Sequence, residues 1–282
     1  MRMRPVTKSV PIEEIVDFDD ELELFERMLA DPQEKRLLFI QSPGKCGKTT
    51  LLRLMKHSCK KNPSCRIEFG EPFDSPHFTL ALEICHQLKL VPSNMARALA
   101  PLSSYQTVKG DVTTHVEGDV TDSTLVTQIL SSVSPTHETL RQRYMKDRLT
   151  RAFHADLQGL AKQRGTVVCF FDALEDINAE EEQWLFDSLL HPMAEGLLKN
   201  IIVVTAGRRW PRLEVWEWQE CAYLIERLPP LSVKDFKTYA SKVGASLTDA
   251  DAHLLWRACH GGNPTLMGSL IKNLRAAAGG GP

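Results

Sequence analysis

The chain has 282 residues, of which 43% are hydrophobic and 25% are charged, and its formal net charge is -2. This length and composition suit a core domain with one smaller domain, and the charge balance gives no global reason to expect nucleic acid or membrane partners. The seven cysteines are odd in number and scattered, and no run approaches the roughly 18 apolar residues of a membrane span, so we expect a reducing, cytoplasmic setting.

The first elements along the chain are a helix, a strand, a glycine-containing turn and a second helix. Residues 1–36 form an entry segment and the first helix, for which Asp19 or Asp20 is the expected N-cap. The apolar run from Leu37 to Gln41 is typical of a strand buried on both faces. The following helix is expected to begin at Lys48.

Strand and helix patterns then alternate. They lie at 64–69, 78–90, 136–164, 166–171, 180–190 and 200–205. This alternation predicts an α/β fold with a parallel sheet and helices on both faces. The stretch at 103–134 is rich in Thr, Ser, Asp and Gly, so we expect it to be a polar surface insertion.

The last part of the chain carries only helical patterns. Three helices are expected, with Thr248 as the N-cap of the second and Pro264 in the first turn of the third. The predicted organisation is therefore an entry segment at 1–36, an α/β core at 37–226 and a small helical domain at 227–278.

The turn after the first strand has the composition of a phosphate-binding loop. Its residues are Ser42, Pro43, Gly44, Lys45, Cys46, Gly47, Lys48, Thr49 and Thr50. They match the pattern G-x-x-x-x-G-K-[ST], except that Ser42 stands at the first glycine. Gly44 and Gly47 allow the backbone to direct successive N–H groups at an oxyanion, and the helix N-terminus adds partial positive charge. Lys48 would reach the terminal phosphates of a nucleotide, and the Thr49 hydroxyl would be a Mg²⁺ ligand.

Polar residues follow two later strands. Asp172 ends one of them, at the sheet edge where ligands bind in this fold class, and it is predicted to hold Mg²⁺ mostly through a coordinated water. Glu175 is predicted to orient and deprotonate the attacking water, with Asp176 as the alternative, and a solvated turn as the simpler interpretation. Arg208, after the next strand, is predicted to sense the terminal phosphate. It could equally form a surface pair with Arg209 or a subunit contact.

With these elements the chain resembles the signal-transducing ATPases with numerous domains (STAND), which include the NACHT and NB-ARC modules, within the AAA+-like P-loop class. The resemblance covers about residues 12 to 275. It rests on the entry Val16 to Leu22, the loop with its continuation Thr49 to Leu52, the acidic cluster Asp172 to Asp176, and Gly262-Asn263-Pro264.

The resemblance implies a P-loop NTPase sheet followed by an all-helical lid domain. In that family the proline of the Gly-x-Pro motif lies near the adenine, a role that the resemblance assigns to Pro264; a first-turn proline is the simpler interpretation. The family's entry motif usually has an arginine where this sequence has Phe18.

The function that the resemblance implies is an ATP-binding, slowly hydrolysing switch. Its cofactors would be ATP or ADP with Mg²⁺, GTP remaining open, and its nucleotide state would control conformation and assembly. Self-association, effector or sensor domains supplied elsewhere, and a defence or stress setting are the family's expectations. Two alternatives stay open: a DNA-associated AAA+-like ATPase, which a basic patch would favour, and a hydrolysis-deficient nucleotide-binding scaffold.

Overall fold

The computed structural model describes residues 17–70, 76–98, 140–208 and 218–277. The predicted polar insertion at 103–134 and Arg209 lie outside these ranges. In the described part of the chain, no helix has both the length and the apolar character that crossing a membrane requires.

Within the described ranges, five strands form one parallel sheet. They are β1 (Leu37–Gln41), β2 (Ser64–Glu68), β3 (Val167–Asp172), β4 (Ile201–Gly207) and β5 (Ala222–Ile225). Their order across the sheet is β2-β3-β4-β1-β5, and every neighbouring pair is parallel. Strand β4 therefore lies between β1 and β3, which brings the ends of these three strands to one edge of the sheet.

The following helices flank the sheet or follow it in the described residues. They are α1 (Asp19–Ala30), α2 (Lys48–Ser58), α3 (Pro76–Gln87), α4 (Leu140–Arg164), α5 (Ala179–Leu185), α6 (His191–Ala194), α7 (Trp218–Cys221), α8 (Val233–Lys242), α9 (Asp249–Ala258) and α10 (Pro264–Ala277). Residues 93–98 are also helical.

The sheet has a core on each face because its central strands are apolar on both sides. Strands β3 and β4 are buried along their whole length, as is β1 up to its last residue. Leu38 and Ile40 belong to the core that includes buried residues of α1 and α2. Leu37 and Phe39 belong to the core that includes buried residues of α3 and α4. The predicted parallel sheet with helices on both faces is confirmed.

The three helices α8, α9 and α10 share a separate core, formed by Leu231, Phe236, Tyr239, Ala240, Val243, Cys259, Met267 and Ile271. Thr248 is the N-cap of α9, as predicted, and its hydroxyl accepts a hydrogen bond from Asp251 N. Leu231 N donates to the carbonyl oxygen of Gly262 at 3.1 Å, which joins the start of this helical domain to the turn before α10.

Two details of the sequence prediction are wrong. The N-cap of α1 is Phe18, in a left-handed conformation (φ 78°), and Asp19 and Asp20 lie in the first turn, because the helix begins earlier than expected. Strand β5 was not predicted. The expected helix at 180–190 is helical throughout, although a π-helical turn covers Phe186–Leu190 between α5 and α6.

Candidate phosphate-binding site

The loop between β1 and α2 has a conformation that requires glycine at one position. Gly47 is the N-cap of α2 with φ 92°. A Cβ added there would lie 2.8 Å from the ring of Phe18, which is too close for any side chain. The buried ring of Phe18 therefore packs directly against this loop.

The ammonium group of Lys48 is held inside this loop. It is only 8% exposed, and Nζ donates to the carbonyl oxygens of Ser42 at 2.6 Å and Pro43 at 2.8 Å. Burial lowers the pKa of Lys48, while the negative charge of Glu175 is the leading influence in the opposite direction. The loop thus holds a partly desolvated cation next to a carboxylate.

Ser42 connects the loop to two other parts of the chain. Its backbone N donates to the carbonyl oxygen of Gly207 at the end of β4, at 3.1 Å. Its side-chain oxygen accepts a hydrogen bond from Leu228 N at 3.4 Å, on the segment that leads into the helical domain. Glycine, the usual residue at this position, has no side chain with which to make the second bond.

Asp172 ends β3 beside this loop, and both of its carboxylate oxygens are occupied. Oδ1 accepts a hydrogen bond from Ala173 N at 2.9 Å, and Oδ2 is 2.8 Å from Nη2 of Arg66 on β2. The two side chains of the ion pair are 3% and 18% exposed, respectively. Arg66 was not predicted from the sequence, although it alternates with the buried Cys65 and Ile67 and so lies on the face of β2 opposite to them.

Glu175 and Asp176 lie in one 3₁₀ turn but have different surroundings. The two carboxylate oxygens of Glu175 are each 2.9 Å from a nitrogen of Arg208, one from its Nε and the other from its backbone N. Asp176 is exposed, and its Oδ2 lies 3.5 Å from the position of a Cβ added to Gly70. Of the two candidates, Glu175 is thus the one paired with Arg208 and acting electrostatically on Lys48.

Arg208 lies between the loop and the acidic turn. A Cβ added to Gly44 would be 3.2 Å from Nη2 of Arg208, so the guanidinium group lies against the loop backbone. This placement follows from the strand order, because β4 separates β1 from β3. The structure therefore brings Lys48, Glu175 and Arg208 together, with Asp172 at the end of the next strand.

The remaining predicted residues are distributed as follows. Pro43, Lys45 and Thr49 are exposed, whereas Gly44, Cys46 and Thr50 are partly buried. Cys46 Sγ lies 3.8 Å from the carbonyl oxygen of Gly44.

Pro264 is the first residue of α10 and is partly buried. The side chain of Asn263 accepts hydrogen bonds from the next two backbone N–H groups, those of Thr265 and Leu266, at 3.0 and 3.2 Å. This geometry is that of an N-cap followed by a first-turn proline. A hydrogen bond to the phosphate loop is donated by Leu228 N, on the segment before the helical domain that contains Pro264.

The residue types at the site suit Mg²⁺. This ion prefers oxygen ligands, and the exposed hydroxyl of Thr49 and the carboxylate of Asp172 are both of that class. Within the described ranges, no group of three or more His, Cys, Asp or Glu side chains is arranged to hold a metal. A hydroxyl and a single carboxylate, completed by phosphate oxygens and waters, form the kind of site that this ion takes in P-loop proteins.

Comparison with known proteins supports the fold directly. No family model matches the chain, and no curated protein matches its sequence. Among solved structures, the chain is similar to the Walker-type ATPase of Pyrococcus abyssi, with 15% identity over 93% of this chain and 69% of that one, and a TM-score of 0.50.

Two further solved structures, both from Thermotoga maritima, align with lower scores. A RuvB variant aligns with 16% identity over 91% of this chain and 60% of its own, at a TM-score of 0.45. Domain III of the replication initiation protein DnaA aligns with 13% identity over 98% of this chain and 92% of its own, at a TM-score of 0.47. The five-stranded parallel sheet, the loop between β1 and α2, and the likeness to the Walker-type ATPase show that this chain has an α/β P-loop NTPase fold.

Proposed function

We propose that this chain is an ATP-binding module that hydrolyses ATP slowly and acts as a switch of the STAND type. One observation carries the proposal. The carbonyl oxygen of Ser42 accepts a hydrogen bond from the Lys48 ammonium group, and the side-chain oxygen of the same residue accepts one from Leu228 N. The three helices α8, α9 and α10 are here called the lid. Ser42 therefore joins the ammonium group that would bind phosphate to the segment that leads to the lid.

Nucleotide binding would rearrange this connection. A phosphate oxygen is a stronger acceptor for an ammonium group than a carbonyl oxygen, so Lys48 would leave the carbonyls of Ser42 and Pro43 for the terminal phosphates. The backbone N–H groups of the loop and the N-terminus of α2 would bind the same phosphates. Because Ser42 also holds Leu228, a shift of the loop would be transmitted to the lid.

The acidic residues of the site have separate roles in this proposal. Mg²⁺, when bound between Thr49, Asp172 and the phosphates, would supply charge neutralisation. Glu175 would orient the attacking water and accept its proton, and Arg208 would stabilise charge on the transferred phosphoryl group.

Two ion pairs support a low rate of hydrolysis. Asp172 is paired with Arg66, and Glu175 is paired with Arg208. Each carboxylate must exchange its arginine partner for Mg²⁺ or water before it can act, which adds a barrier to every turnover. The same pairs favour one alternative, a nucleotide-binding scaffold in which this exchange never occurs.

Nucleotide binding is tested first by thermal unfolding of the purified protein with Mg-ATP, Mg-ADP or Mg-GTP. A ligand at about one hundred times its dissociation constant stabilises the folded state by about 2.7 kcal/mol. We expect this shift with the adenine nucleotides and its loss in Lys48→Ala, whereas Lys60→Ala, which removes an exposed lysine just after α2, retains it. The absence of a shift with all three nucleotides would remove the basis of the proposal.

The switch itself is tested with Ser42→Gly. This variant restores the usual phosphate-loop glycine and removes the hydroxyl that holds Leu228, so it should bind ATP while losing control of the lid. The readout is nucleotide-dependent protection of the segment at 226–231 against limited proteolysis. Equal protection in the variant and the parent chain would contradict coupling through Ser42. Phosphate release from ATP, measured on the parent chain, distinguishes the hydrolysing switch from the nucleotide-binding scaffold, because the scaffold would release no phosphate.

A further inference from the structure

A concave site lies next to the candidate phosphate site, between α2 and the edge strand β2. It is a cavity of about 420 Å³, lined by Arg53, Lys56, His57, Arg66 and Glu68. Two guanidinium groups, one lysine and one histidine therefore line this cavity together with one carboxylate. The volume is in the range of sites that hold small ligands in other proteins.

The cationic residues converge for simple geometric reasons. Arg53, Lys56 and His57 are spaced three and four residues apart on α2, so they share one face of the helix. Arg66 projects from β2 on the face opposite the buried Cys65. Among the described strands, β2 lies at the edge of the sheet, so the cavity is at that edge.

Arg66 belongs both to this cavity and to the phosphate site. Its Nη2 binds Asp172 at 2.8 Å and Glu68 at 3.1 Å, while its buried Nε has no hydrogen-bond partner in the described part of the chain. Buried donors of this kind are rare in folded proteins, because each one loses its bond to water without replacement. A guanidinium group has five N–H donors, so an anion in the cavity could bind the unused ones.

We propose that this cavity binds a phosphate-type anion, and that its occupation draws Arg66 away from Asp172. A phosphate group fits better than a carboxylate, because it presents several acceptor oxygens and up to two negative charges to Arg53, Lys56 and Arg66. Free phosphate, pyrophosphate and the phosphate group of a small metabolite share this chemistry. The effect on Asp172 rests on the proposed function of that residue, but the binding itself does not.

The occupied cavity would act on the metal site through a single ion pair. An anion that takes over the Arg66 guanidinium would leave Asp172 free to bind Mg²⁺. Arg53 lies four residues after Thr49, on the same face of α2, so the cavity adjoins the proposed metal position. Occupation would thus raise the affinity for Mg²⁺ together with ATP.

The binding test uses pyrophosphate as the probe and calorimetry at constant ionic strength. All proteins carry Lys48→Ala, so that the phosphate loop contributes little to the binding. We expect Arg53→Ala combined with Lys56→Ala to weaken binding by at least about tenfold, since two charge-assisted contacts are lost. The matched control, Lys60→Ala combined with Lys61→Ala, removes the same charge from exposed positions and should change the affinity less than about twofold.

Several outcomes would overturn the anion site. If both double variants bind pyrophosphate equally weakly, the effect is general electrostatic attraction and not a specific site. If the protein does not bind pyrophosphate at all, the proposed anion site is wrong. Tighter binding of a single-stranded oligonucleotide than of pyrophosphate, dependent on Arg53 and Lys56, would assign the surface to nucleic acid instead. Arg53→Gln with Lys56→Gln repeats the test with less loss of side-chain packing if the alanine variant unfolds.

The coupling is tested separately in the chain with an intact phosphate loop. Phosphate at saturating concentration should lower the Mg²⁺ concentration that half-maximal ATP binding requires, and the Arg53→Ala, Lys56→Ala variant should not respond. Pyrophosphate binding without this response would contradict the link through Arg66 and leave the anion site standing. Failure of ATP to bind under any condition would instead contradict the proposed function.

Discussion

Replacing Glu175 with glutamine separates the catalytic role proposed for its carboxylate from its structural role. The side chain is paired with Arg208, whose side chain is 64% exposed, and pairs with an exposed partner contribute only about 0 to 1 kcal/mol to stability. Glutamine keeps one oxygen acceptor and nearly the same shape. We therefore expect the free energy of unfolding to change by less than about 1 kcal/mol.

The effect of Glu175→Gln on hydrolysis should be far larger. Loss of a general base slows a reaction by about 10² to 10⁴, which corresponds to about 3 to 5 kcal/mol in the activation barrier. Affinity for Mg-ATP should be retained or increased, because a negative charge near the polyphosphate is removed. Glutamine is thus expected to leave a folded protein that binds ATP and scarcely hydrolyses it.

The assay is phosphate release under single-turnover conditions, together with chemical denaturation and ATP titration of each variant. Glu180→Gln makes the same charge change at an exposed position in the first turn of α5 and should hydrolyse ATP at the parent rate. Asp176→Asn discriminates between the two candidate bases, since Asp176 lies toward Gly70. Parental hydrolysis in Glu175→Gln, or loss of hydrolysis in Asp176→Asn alone, would refute the assignment of the base to Glu175.

Three further predictions concern the lid, the loop lysine and the core. Gly262→Ala should lower the free energy of unfolding by more than about 2 kcal/mol, because φ is +100° and the new Cβ would overlap a carbonyl oxygen. Gly159→Ala, at an open helical position, should instead stabilise the protein by about 0.5 to 1 kcal/mol in the same denaturation experiment. ATP affinity should fall as the pH rises toward 10.5, because burial lowers the pKa of Lys48 and phosphate binds the charged form of this side chain. Titrations of ATP at a series of pH values should show no such fall in Lys48→Arg, since arginine keeps its charge. Asp156→Asn should cost about 2 to 3 kcal/mol in denaturation, because this buried carboxylate accepts the first backbone N–H groups of the helix at 93–98.

The sequence was sufficient to predict the parts of the site that are local along the chain. The strand at Leu37–Gln41, the loop and the helix from Lys48 are consecutive, and each has a strong pattern of its own. The strand that ends in Asp172 is similarly continuous and apolar. Strand β5 was missed because it has only four residues at a sheet edge, and all of them remain partly or fully exposed.

The long-range contacts at the site could not be predicted in this way. Arg66 and Asp172 are 106 residues apart, and Ser42 and Leu228 are 186 apart, so neither pairing leaves a local pattern. Both depend on the strand order, which is decided by long-range packing. Alternation along β2 did carry one usable signal, because an arginine between two buried residues must face the other side of the sheet.

In the proposed switch, the bond between Ser42 and Leu228 would also determine how far the lid moves for a given change at the loop. It would place a pivot beside the phosphate-binding loop, while α10, with 14 residues, extends about 21 Å at 1.5 Å per residue. A rotation of about 15° about such a pivot, comparable to subunit rotations in allosteric proteins, would displace a point one helix length away by about 5 Å. Because displacement increases with distance from the pivot, a surface of the lid far from the loop would move most, and a partner docked there would receive the largest mechanical signal.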